Sequence, residues 1–104
     1  MPHGVYDRSL TSEQKFWVQV NKTNTCWLWT GYIPPSGYGL VCFKGKVRNA
    51  HRVAYTLVKG AVPRGLDLDH LCRTKACVNP DHLEPVTHAE NMRRWSALRR
   101  QQAA

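Results

Sequence analysis

Two thiols and an imidazole, Cys72, Cys77 and His82, follow one another at intervals of five residues within the stretch DHLCRTKACVNPDHLEPVTHAEN, residues 69–91. Structural zinc takes sulfur and imidazole nitrogen in a closed tetrahedron, so these three make a partial cage. The fourth ligand must come from elsewhere, and Cys26 and Cys42 are the candidates. Cys26 heads an aromatic-rich segment that could fold back onto the loop. Cys42, between Val41 and Phe43, reads as a small buried hydrophobe. Asp69, His70 and Asn91 lie outside the cage. An imidazole with an ordinary pKa near ~6.5 can take a proton from water at neutral pH. A carboxylate and an amide oxygen are hard ligands of the kind Mg²⁺ prefers. A base beside one divalent cation is sufficient equipment for phosphodiester hydrolysis.

These side chains need elements that converge. Residues 1–9, with Pro2 and Gly4, read as a loose lead-in. Thr11 or Ser12 caps a short helix with Phe16, Trp17 and Val20 on one face. After a polar break, Cys26 to Trp29 alternates as a strand. Tyr38 to Phe43 and Lys46 to Asn49, joined by Lys44-Gly45, complete a small antiparallel meander. Residues 50–59 predict a helix ended by Gly60, with Val53, Ala54 and Leu57 buried. Leu66 to Leu68 is a strand that delivers Asp69 and His70, and Leu83 to Val86 returns. Thr87 and Glu90 match a capping box for a last helix that carries Asn91. That helix turns Met92, Trp95 and Leu98 inward and Arg93, Arg94, Arg99 and Arg100 outward. The fold class is α+β, one domain over 1–104, with its chemical core at 69–91 and a basic helix end and tail at 93–104.

Fifteen Lys and Arg against seven Asp and Glu leave +8 on 104 residues, which favours nucleic acid over an acidic membrane surface. No apolar run approaches the ~20 residues of a membrane span, and the first residues carry no signal pattern. A cytoplasmic location follows. In that reducing compartment four cysteines suggest metal before disulfides. No small-molecule substrate or membrane partner is expected. Contacts to double-stranded DNA are expected from Lys44, Lys46 and Arg48 on the hairpin, from Arg52, and from Arg93 and Arg94. His3, His51 and His88 stand outside the site. Two other functions compete: a non-catalytic zinc-containing DNA-binding module in which His70 is structural, and a zinc-stabilised adaptor, which leaves the charge without a purpose. The chain acts as a monomer or a homodimer, which its sequence does not decide.

The Asp-His pair, the CRTKACVNPDHL loop and THAEN resemble the small phage-type HNH endonucleases of the ββα-metal superfamily, and CWLWTG, GYG and AHRVAY extend the likeness from about Cys26 to Arg94. The spacing from His70 through Cys72, Cys77 and His82 to Asn91 is also similar to that of the His-Cys box homing endonucleases. The resemblance implies structural zinc on Cys26, Cys72, Cys77 and His82. It implies His70 as general base, and Asn91 with Asp69 as ligands of a catalytic Mg²⁺ or Mn²⁺. One position departs from the pattern. The middle residue of the HNH name, usually Asn, is here His82, and Asn79 belongs to an Asn-Pro turn.

Overall fold

The computed structural model describes residues 9–103, with side chains over 9–100; the expected lead-in, apart from Ser9, and His3 lie outside the described residues. Helix α1 spans Ser12–Trp17. Its capping box is closed by Thr11 and Gln14: Thr11 Oγ1 accepts from the Gln14 amide at 3.1 Å, and Gln14 Oε1 accepts from the Thr11 amide at 2.8 Å. Strands β1 (Val20–Lys22) and β2 (Trp27–Trp29) pair antiparallel, as do β3 (Leu40–Phe43) with β4 (Lys46–Asn49) and β5 (Leu66–His70) with β6 (Leu83–Thr87). Helix α2 (Ala50–Lys59) follows the second pair and α3 (His88–Ala103) the third. No described helix is long and apolar enough to cross a membrane.

The α+β class stands, but the meander resolves into separate pairs, because both edges of β2 are occupied. One edge holds β1, which begins at Val20, expected from sequence on the face of the first helix, and runs into the polar break. The other edge bonds to the loop after β5: the Trp29 amide donates to the Ala76 carbonyl at 2.9 Å and the Val78 amide to the Trp27 carbonyl at 2.7 Å. No edge remains for β3. The β3–β4 hairpin closes on Lys44 and Gly45, both at positive φ, which suits a two-residue antiparallel turn.

Phe16, Trp29, Ala50, Val53, Ala54 and Val78 form the core, with Phe16 stacked on Trp29 at 5.2 Å between ring centroids. Val41 and Phe43 pack against this core. The two-residue period of a strand then turns Cys42 to the open side, so Cys42 is exposed and not buried. Trp29 is wedged against Gly39, where a Cβ would fall 2.3 Å from Trp29 Cδ1. The Gly39 carbonyl accepts the Ala50 amide at 2.9 Å, which anchors the start of α2 to the same tryptophan.

Helix α3 is clamped to the β5–β6 pair by charge. Asp69 and Glu84 are directly opposed across that pair, an arrangement that repels unless a cation intervenes. Arg94 intervenes: its Nη1 reaches Glu84 Oε1 at 2.5 Å and Asp69 Oδ2 at 3.0 Å, and its Nε reaches Glu90 Oε2 at 2.8 Å. Arg94 is therefore half-buried in a bracket and not turned outward. Thr87 caps the helix through the Glu90 amide at 3.1 Å. The Glu90 carboxylate, however, goes to Arg93 and Arg94 in place of the return bond of a capping box. Met92 also departs from expectation and is exposed, because Asn91 and Trp95, four residues apart, take the inner face.

Removing the bracket should loosen α3. Arg94→Ala is expected to lower the unfolding midpoint clearly, since it strips charged hydrogen bonds from the buried Asp69. Arg93→Ala, which loses one exposed pair, should leave the midpoint near that of wild type. Urea unfolding midpoints of the two variants would check the contrast.

Candidate active site and metal centre

The bonding of β2 to residues 76–78 carries Cys26 to the loop. Cys26, Cys72 and Cys77 Sγ and a His82 ring nitrogen lie within 4.8 Å of one another. His82 Nδ1 is 3.8 Å from Cys26 Sγ and 3.5 Å from Cys77 Sγ. With Zn–S near 2.3 Å and Zn–N near 2.0 Å, the edges of a tetrahedral site are about 3.5–3.8 Å, so this donor set could hold a metal ion. Cys42 is on the exposed side of the hairpin and takes no part. Burial pushes the Cys77 thiol up, so ion binding must displace its proton. Asn79 braces the loop from two directions. Its Oδ1 caps the single 3-10 turn at Pro80–His82 through the Asp81 amide at 3.0 Å, and its Nδ2 donates to the Thr25 carbonyl at 3.0 Å, next to Cys26.

His70 ends β5 and is 1% exposed. Its Nε2 lies 2.9 Å from the carbonyl oxygen of Cys77. A carbonyl only accepts, so Nε2 carries the proton and Nδ1 keeps a bare lone pair. Burial, the largest influence, lowers the pKa of His70; the Cys77 carbonyl and Asp69 oppose that, while Arg73 and Lys75 reinforce it. The imidazole is thus neutral and able to accept a proton at neutral pH. The same loop supplies the thiol of Cys77 to the metal cluster and its carbonyl to the base.

Strand alternation separates the residues that sequence had grouped. Asp67 and Asp69 share one face of β5, and His70 lies on the other. Asp69 is 1% exposed, and both its oxygens are engaged: Oδ1 by Arg73 Nη1 at 2.7 Å and Oδ2 by Arg94 Nη1 at 3.0 Å. It braces the fold. Asn91 instead meets Asp67, donating from Nδ2 to Asp67 Oδ2 at 3.3 Å, and His88 Nδ1 shares that oxygen at 2.7 Å. The pKa of Asp67 is held down by the His88 hydrogen bond first of all, with a smaller contribution from Asn91. Asn91 Oδ1 is left buried with no hydrogen-bond partner. An amide oxygen in that state is a fitting seat for a hard cation.

Around the other face of His70 stand Tyr38 and His51, with ring centroids 5.5 Å and 4.7 Å from its own. Arg52 follows His51 at the start of α2 and is close enough to lower the pKa of both His51 and Asp67. Asp67 and Tyr38 escaped the sequence reading, and His51, which the sequence left outside the site, stands beside His70. Asp67 could have been found from its place two residues before Asp69, on the same strand face; nothing local marks the other two.

The expected DNA-binding residues divide in two. Among the described residues no acid pairs with Lys44, Lys46, Arg48 or Arg52, and the first three are exposed. Lys44, Arg48 and Arg52 rim a groove of about 660 Å³ floored by Leu40, Phe43 and Val53. Arg94 is consumed by three carboxylates, and Arg93 is exposed but paired with Glu90.

The HNH endonuclease family model matches residues 48–93. Protein 7.7 of Escherichia phage T7 is 36% identical over 66 residues, which make up 64% of this chain and 51% of that relative. The chain thus spans about half the length of the curated relative it matches. No solved structure matches it. The segment matched by the family model holds His70, Cys72, Cys77, His82 and Asn91, and over it this chain resembles the HNH endonucleases.

Proposed function

We propose that this protein is a metal-dependent DNA endonuclease that hydrolyses phosphodiester bonds, acting in the cytoplasm of an infected host cell. The observation that carries the reading is the buried His70 imidazole, fixed through Nε2 on the Cys77 carbonyl so that Nδ1 keeps its lone pair. Such a nitrogen takes a proton from water as the water attacks a phosphorus in line. Arg52, which follows His51 and pairs with no acid among the described residues, would set the phosphate against that water. Lys44, Lys46 and Arg48 hold the duplex backbone through salt-sensitive contacts.

The cation implied by this chemistry is Mg²⁺ or Mn²⁺. Asn91 Oδ1 would hold it, with Asp67 beside it in place of the expected Asp69, whose oxygens belong to Arg73 and Arg94. When bound it supplies neutralisation of charge at the phosphate and at the leaving 3′ oxygen. Zinc on Cys26, Cys72, Cys77 and His82 would serve structure, because the loop it closes also presents the Cys77 carbonyl to His70.

Supercoiled plasmid with Mg²⁺ or Mn²⁺ tests the activity. Wild type should give relaxed or linear product, and His70→Ala should slow cleavage ~10²–10⁴-fold while binding DNA in a gel shift as before. Binding without cleavage in every metal would favour the zinc-containing DNA-binding module. The closed thiol cluster makes a separate forecast. Cys26→Ser should lose its zinc and its cooperative unfolding, since a structural zinc contributes about 10–16 kcal/mol, as much as a whole domain's stability. Cys42→Ser should retain both. Metal analysis and thermal melts read the difference directly, and equal zinc in Cys26→Ser and wild type would contradict the assignment.

A further inference from the structure

Behind His70 lies a second buried imidazole that the proposed chemistry does not use. His51, in the first turn of α2, is 6% exposed. Its ring is 4.7 Å from that of His70 and 5.6 Å from that of Tyr38, and Tyr38 lies 5.5 Å from His70. The three rings close a triangle in which each faces both others. Burial, then the nearby His70 and Arg52, push the His51 pKa down to about 3, so it is neutral wherever the protein is folded under ordinary conditions. Its Nδ1 is buried without a partner. A ring that stays neutral and bonds nothing through Nδ1 acts on its neighbour through shape.

His70 has need of such a neighbour. The torsion that turns a histidine ring is broad and roughly two-fold, and only one of its two settings places Nε2 on the Cys77 carbonyl. A half-turn would put a carbon there and carry Nδ1 to the other side. One hydrogen bond is a weak lock against that half-turn, whereas rings packed on two sides obstruct it sterically. Tyr38 is itself held in place: Lys75 Nζ lies 5.2 Å over its ring and reaches back to the Ser36 carbonyl at 3.3 Å.

We propose that His51 is a positioning residue for His70, forming with Tyr38 a wall that fixes the tautomer and orientation of the base. The activity arm of this inference rests on the nuclease reading; the orientation arm does not. Both can be read on zinc-loaded protein, wild type beside His51→Ala and His51→Phe. Long-range ¹H–¹⁵N spectra should show a single Nε2–H tautomer for His70 in wild type and His51→Phe. In His51→Ala the two ring nitrogens should average. On plasmid with Mg²⁺, His51→Ala should lose ~10²-fold in kcat with KM and zinc content unchanged, the loss typical of a group misplaced by about 1 Å. His51→Phe, which keeps the wall, should recover most of it. Should His51→Ala fail to fold, Tyr38→Leu opens the wall from the other side and should give the same averaging. A folded His51→Ala with the wild-type tautomer and kcat overturns the proposal, and so does His51→Phe as slow as alanine with the tautomer intact. A wild type that does not cleave defeats the nuclease reading alone, because the tautomer still reports on the wall.

Discussion

The short antiparallel contact between Trp27–Trp29 and residues 76–78 is what the rest of the molecule depends on. Two backbone hydrogen bonds, which together make the Leu28–Cys77 bridge, join segments about fifty residues apart in sequence. Closing so long a loop is entropically unfavourable, and the contact is reinforced on both sides. On one side Trp29 sits in the aromatic core between the backbones of Gly31 and Gly39. On the other, Cys26 meets Cys72, Cys77 and His82, with Asn79 tied to Thr25. The core, the thiol cluster and the orientation of the Cys77 carbonyl are therefore a single mechanical unit, and His70 takes its bearing from that unit.

The opposite face of β5 is organised by charge. A buried carboxylate such as Asp69 is strongly disfavoured unless fully paired, and here two guanidinium groups meet it, one from the loop and one from α3. Arg94 also relieves the repulsion between Asp69 and Glu84 across the strands. This fixes the rotation of α3, and with it the meeting of Asn91 and Asp67. Asp69 matters through geometry transmitted along a helix; Asn91 is the group left with an unsatisfied oxygen.

The excess of positive charge is unevenly placed. Glu84, Glu90 and Asp69 absorb much of the positive charge at the start of α3. The β3–β4 hairpin and the first turn of α2 carry Lys44, Lys46, Arg48 and Arg52 with no acid paired to them among the described residues. A polyanion is thus attracted to the side of the molecule where α2 brings Arg52 and His51 up to His70.

The sequence by itself determined whatever is local or fixed by spacing. The helix at Ala50–Lys59 with its stop at Gly60, the β5–β6 pair, the cap of α3 by Thr87, and three members of the thiol cluster follow from period, turn chemistry and five-residue intervals. Tertiary structure decided what depends on partners distant in the chain. It chose β1 and the loop, over β3, as neighbours of β2, because strand edges are filled by whichever segment the core brings close. It exposed Cys42, because Val41 and Phe43 claimed the core face. It also separated Asp69 from His70, since adjacent strand residues point to opposite faces, and it gave Asn91 to Asp67 and Arg94 to Asp69 on the shared face, since the docking of α3 selects which carboxylate each helix residue meets.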